Sequence, residues 1–132
     1  MKLYLDSDIF LAAFKDTDHL KSSAMKFLET ESKKHELFTS TATLLEVWHY
    51  LRRNNLEERA LEAVKYIESI VSTVMPLDAE QLTAAIELAQ AHSLSPTDAI
   101  HANYAKKLDG IVATDHAFDR VPGLKKIDFS KI

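Results

Sequence analysis

The chain has 132 residues, 46% apolar and 27% charged, with a formal charge of −4, no cysteine and two glycines. That length and apolar content suit one globular domain, residues 1–132, able to bury roughly two thirds of its unfolded surface. The absence of cysteine excludes disulfides and thiolate zinc sites, two glycines are too few for a Walker loop or a dinucleotide fingerprint, and the acidic balance argues against nucleic-acid binding through bulk positive charge.

Hydrophobic patterning predicts, in order, a strand over 2–5, helices near 7–14 and over 18–34, a strand over 36–39, and helices over 42–53 and 56–71. A strand near 73–75, helices over 78–92 and 96–108, a strand over 111–113, a short helical turn after Asp115 and a last strand near 124–127 complete the chain. Strands separated by helices imply a parallel sheet covered on both faces. Asn54-Asn55 separates two amphipathic stretches, Pro76 follows an apolar run, and Gly110 is expected to close the helix ending at Leu108. Leu82, Ala85, Ile86 and Ala89 read as a core-facing stripe. No apolar stretch approaches the roughly 18 residues of a membrane-spanning helix. The N-terminus lacks a signal-peptide pattern, so a soluble cytoplasmic protein is expected.

Four acids stand where apolar runs give way to other segments: Asp6, Glu46, Asp98 and Asp115. Three have local explanations. Asp6 with Ser7 can cap the first helix, Ser95-Pro96-Thr97-Asp98 fits a capping box, and Asp115 can cap the turn holding His116 and Phe118. Glu46 lies too deep in its helix to cap it, and groups on the wheel with Ala42, His49, Tyr50 and Arg53; a solvated glutamate is the plain alternative.

In an open parallel sheet, the segments leaving the carboxyl ends of the strands emerge along one edge. Asp6 and Asp115 follow strands, and Glu46 lies one to two turns into the helix after another. Carboxylates in one crevice repel unless protonated or bound to a cation, and oxygen ligands select Mg²⁺ or Mn²⁺. Water activated by such an ion suits phosphodiester hydrolysis. Lys33-Lys34, Arg52-Arg53, Lys106-Lys107 and Lys125-Lys126 are either a local basic rim or solvated helix ends.

Leu5-Asp6-Ser7-Asp8-Ile9-Phe10, Thr43-Leu44-Leu45-Glu46, Thr97-Asp98-Ala99-Ile100-His101-Ala102 and Ala113-Thr114-Asp115-His116-Ala117-Phe118 together resemble the PIN domain family, most closely its VapC-type toxins. The resemblance spans essentially the whole chain. It implies a three-layer α/β/α sandwich with a central, mostly parallel sheet, and an endoribonuclease dependent on Mg²⁺ or Mn²⁺ that cleaves single-stranded RNA. It places the acidic quartet on Asp6, Glu46, Asp98 and Asp115, as metal ligands or, for Glu46, as the group orienting the attacking water. It also implies a homodimer and a cognate antitoxin that blocks the acidic groove.

Two departures from the family pattern stand out: Asp8 where Asn is frequent, and Thr114 directly before Asp115. Ser7 and Thr114 offer hydroxyls to the ligands, and Asp119 is a surface acid or an outer ligand. His101 and His116 could touch substrate or donate a proton, or be hydrogen-bonded neighbours of the acids. Phe10, Phe14, Trp48, Tyr50, Leu51 and Leu56 serve a contact surface or the core. Two rival readings remain open: a catalytically silent PIN-like binding module, and a haloacid-dehalogenase-like phosphatase with Asp6 as nucleophile.

Overall fold

The computed structural model describes residues 1–132. Five strands form one all-parallel sheet: β1 (Lys2–Leu5), β2 (Glu36–Ser40), β3 (Thr73–Met75), β4 (Gly110–Val112) and β5 (Lys126–Ile127), in the order β3-β2-β1-β4-β5. Six α-helices connect them: α1 (Ser7–Phe14), α2 (Lys21–Glu29), α3 (Thr41–Arg53), α4 (Ala60–Ile70), α5 (Ala79–His92) and α6 (Pro96–Ala105).

The alternation of side chains along β1 divides the core in two. Leu3 and Leu5 face one side of the sheet, with Leu37 of β2 and Val112 of β4, and pack against Phe10, Phe27, Val47, Leu51 and Ile67 of α1–α4. Tyr4 and Ile111 face the other, against Ala85 and Leu88 of α5 and Ala99, Ala102 and Tyr104 of α6. These are the two helical layers of an α/β/α sandwich, with nearly every residue of the two central strands β1 and β4 buried. Both faces are covered, which is why those strands read as continuous apolar runs.

The chain runs outward from β1 through β2 to β3, then returns to place β4 on the other flank of β1. Connections leave the carboxyl ends of β1 and β4 in opposite directions, which opens a crevice between them. Asp6 follows β1 there, its backbone N–H donating to the Val112 carbonyl at 3.2 Å.

Several boundaries shift from the sequence expectation. The helix expected over 18–34 ends at Glu29 and continues as a 3₁₀ turn over Glu31–Lys34, and α4 is entered through a 3₁₀ turn over Glu57–Arg59. Helix α6 stops at Ala105, and Gly110 begins β4 instead of closing the helix. The intervening turn lets Asp109 accept a 2.7 Å hydrogen bond from the Lys2 N–H and donate its own N–H to the Lys2 carbonyl at 2.8 Å. Glycine is needed at 110 for close approach, because a Cβ there would lie 2.8 Å from the Lys125 carbonyl oxygen.

The expected stripe on α5 is only half buried. Ala85 and Leu88 face α6, while Leu82 and Ile86 are 43% and 50% exposed. Trp48 is likewise exposed, although Val47 and Leu51 on the same helix are core residues, and its indole N–H donates to Glu57 at 3.0 Å. With Leu44, Leu45, Ala60, Leu61 and Val64 it borders an apolar slot of about 540 Å³ between α3 and α4. No helix is long and apolar enough to cross a membrane.

Candidate metal centre

Asp6 is both the cap of α1 and the deepest acid of the crevice: its Oδ1 accepts the Ser7 N–H at 2.8 Å. Two residues on, Asp8 accepts at Oδ2 from the Thr114 N–H at 2.8 Å and the Thr114 hydroxyl at 3.0 Å, tying the start of α1 to the segment after β4. Its other oxygen, Oδ1, is buried with no hydrogen-bond partner. Asp115 caps the 3₁₀ turn over His116–Arg120, accepting from the Ala117 N–H at 2.8 Å. Asp98 occupies the third position of α6, its N–H donating to the Ser95 hydroxyl at 3.3 Å with Pro96 in the first turn. The capping explanations and the convergence of acids hold together, since helices that start at the sheet's carboxyl edge point their caps into the crevice.

Glu46 reaches this crevice from the second turn of α3, and its partner is His101. The imidazole Nε2 donates to Glu46 Oε1 and lies 3.2 Å from Asp6 Oδ1. Its Nδ1 meets the Tyr4 hydroxyl at 2.7 Å, and that hydroxyl meets Ser40 Oγ at 2.7 Å. His101, Tyr4 and Ser40 are all buried. A nitrogen facing two carboxylates carries a hydrogen, so Nε2 is protonated in either charge state of the ring.

Burial is the largest influence on Asp6 and pushes its pKa well above 3.8, reinforced by the charges of Asp8 and Glu46 and opposed by His101. Asp8 is raised by burial, less so because Thr114 stabilises its charged form. Asp98 is raised by burial, with Asp115 and Glu46 adding repulsion. Burial alone would lower His101, but the Tyr4 oxygen and the Asp6 and Glu46 carboxylates outweigh it and hold its pKa well above 6.5.

Of the four acids singled out in the sequence, the structure brings Asp6 and Glu46 together around His101, and Asp98 feels the charges of Glu46 and Asp115. Asp6 and Glu46, with His101, each offer one ligand atom within 4.8 Å of the others. Asp98 and Asp115 stand outside that knot and repel across its rim. This arrangement fits a hard divalent cation: oxygen donors dominate, their charges are mutually repulsive, and the buried Asp8 Oδ1 has no hydrogen to accept. Asp6 and Glu46 are the carboxylates placed together to hold it.

His101, Tyr4 and Ser40 are the part that sequence reasoning missed, or saw only as a histidine beside an acid. A histidine three residues after Asp98, on a helix face otherwise made of Ala102, Ala105 and Tyr104, was the available signal. His116 is exposed and pairs with Asp119 at 3.3 Å; Lys126 meets the same carboxylate at 3.1 Å, which places Asp119 in a surface cluster.

The family model described as PIN domain matches residues 3–124. The chain belongs to the PIN domain family. Membership displaces the phosphatase alternative. Comparison with curated proteins finds no match. Among solved structures this PIN domain is similar to the Mycobacterium tuberculosis toxin VapC20, described as cleaving the sarcin-ricin loop, with a TM-score of 0.80 and 21% identity over 95% of this chain and 98% of that one. It is also similar to a chain of Rickettsia felis VapBC2 bound to a promoter DNA fragment (TM-score 0.75, 18% identity, 96% and 98% covered). DNA-bound VapBC from Salmonella typhimurium gives a TM-score of 0.71 at 19% identity, with 98% of each chain covered. At these identities the likeness is one of fold.

Proposed function

We propose that this PIN domain, residues 1–132 acting as one unit, is the toxin of a VapBC-type pair: a cytoplasmic endoribonuclease that cleaves single-stranded RNA with Mg²⁺ or Mn²⁺. The observation that carries the reading is the cluster of Asp6, Glu46 and His101 in a PIN fold, with Asp98 near enough to feel the charges of Glu46 and Asp115 and an unpartnered oxygen on Asp8 close by. The cation supplies charge stabilisation at the phosphodiester and an activated water. Asp6 and Asp98, half or more withdrawn from solvent, are suited to hold the ion, and exposed Asp115 closes the site toward solvent. Glu46 has one oxygen committed to His101 and opens onto the adjoining cleft, which suits it to orient water for attack. His101 fixes that carboxylate and is itself fixed by Tyr4 and Ser40.

An antitoxin and a second copy of the chain are the protein partners in this proposal. Support comes from the toxin-antitoxin complexes among the structural neighbours and from exposed Leu45, Trp48, Leu61, Leu82 and Ile86.

Cleavage of a panel of single-stranded RNAs with Mg²⁺ or Mn²⁺, by wild type and Asp6→Asn, tests the reading. Losing this carboxylate should cost about 4 kcal/mol of transition-state stabilisation, about 10³-fold in rate. Equal cleavage by both proteins, or none by either, defeats the assignment, and the second outcome favours a silent binding module.

A further inference from the structure

An anionic RNA approaching a cluster of acids in a chain of net charge −4 needs cations other than the metal, and their placement here is one-sided. A cleft of about 360 Å³ opens beside the centre between α3 and the start of α6, bordered by Glu46, His49, Tyr50, Arg53 and Thr97. Glu46 belongs to the acidic cluster and also lines this cleft, so the two adjoin at its carboxylate. Arg53 lies seven residues after Glu46, two helical turns or about 10 Å along α3. It is exposed and makes neither an ion pair nor a side-chain hydrogen bond within the protein. Lys15 joins it from the end of α1, its ammonium held 4.6 Å from the centre of the Tyr50 ring.

Cations on the opposite flank are engaged. Lys126 is held by Asp119 at 3.1 Å, and Arg120 donates to the Ser93 carbonyl at 3.0 Å. Arg52, adjacent to Arg53 in sequence, lies 3.7 Å from Glu57 and borders a different recess with Trp48. Of the two arginines ending α3, only Arg53 faces the cleft that Glu46 shares.

We propose that this cleft is the phosphate subsite for the RNA flanking the cleaved bond, with Arg53 and Lys15 as its cationic contacts, so that the strand leaves the centre along α3 and not past Lys126. The subsite presupposes the ribonuclease reading above. Guanidinium and ammonium groups left unpaired beside an acidic centre fit a phosphodiester chain whose reacting phosphate sits at that centre.

Fluorescence anisotropy of a labelled single-stranded RNA in Ca²⁺, over a series of salt concentrations, is paired with steady-state cleavage in Mg²⁺. Arg53→Gln and Lys15→Gln are each expected to raise Kd and KM about fivefold and to lower the slope of log Kd against log salt by about 0.7. For both, kcat stays within twofold. Arg52→Gln removes the same charge one residue away and is expected to leave Kd within 1.5-fold, about the scatter of a rim charge. Equal effects of Arg52→Gln and Arg53→Gln, or none from Arg53→Gln, overturn the subsite while leaving the nuclease intact. A wild type that neither binds nor cleaves any RNA removes the ribonuclease reading and the subsite together.

Discussion

Removing the imidazole of His101 takes a donor away from two carboxylates at once and leaves the Tyr4 hydroxyl with Ser40 alone. Buried charges deprived of their counterpart typically cost about 3–5 kcal/mol, whereas deleting one hydroxyl from a hydrogen-bond chain costs about 1–3. His101→Leu is therefore expected to lower stability in EDTA by about 3 kcal/mol and Tyr4→Phe by about 1, both read from urea denaturation. A smaller loss for His101→Leu than for Tyr4→Phe would show that the ring is not what holds Asp6 and Glu46 together. At the residue level the sequence offered His101 as a hydrogen-bonded neighbour of an acid, but not which acids. Asp6, Asp98 and Asp115 announced themselves by the caps they form, but Glu46 and His101 meet across 55 positions, and no local rule pairs a glutamate in one helix with a histidine in another.

At the scale of elements, the start of α6 couples helix stability to the geometry of the site. Ser95 accepts the Asp98 N–H, so the hydroxyl that caps the helix also sets where the Asp98 carboxylate enters the crevice. Ser95→Ala should cost about 1 kcal/mol by loss of the cap. It should also lower RNA cleavage several-fold with little change in the affinity for RNA, seen by thermal denaturation and by separating kcat from KM. Unchanged kcat with the full loss of stability would make Ser95 a cap and nothing more. Element types were readable because β1 and β4 are buried on two faces and the helices carry apolar rows. Strand order was not, since runs such as Lys2–Leu5 and Gly110–Val112 carry no mark of their neighbours. Periodicity also overstated burial on α5: it shows that Leu82 and Ile86 share a face, but not that Ala85 and Leu88 are the residues of that helix that become buried.

Across the whole molecule, the crevice concentrates repulsion that folding must overcome without metal, and this ties stability to pH. Asp6, Asp8 and Asp98 have folded pKa values raised above 3.8, and His101 well above 6.5, so all four hold protons more tightly folded than unfolded. For the acids, the contribution is fully present below about pH 3.8 and is lost as pH rises through their raised values. For His101 it is fully present below about pH 6.5 and is lost as pH rises through its higher folded value. The metal-free protein is therefore expected to lose stability from about pH 6.5 upward, with a lower urea midpoint at about pH 9 than at about pH 6.5. A divalent cation takes the place of those protons, so its stabilisation should grow over the same range and reach about 2.7 kcal/mol at a hundredfold excess over Kd. Melting curves in EDTA and in Mn²⁺ at both pH values check this. A metal-free midpoint that does not fall with pH would mean that His101 holds no extra proton in the fold, and a Mn²⁺ shift that shrinks with pH would mean that metal and protons do not compete for these carboxylates.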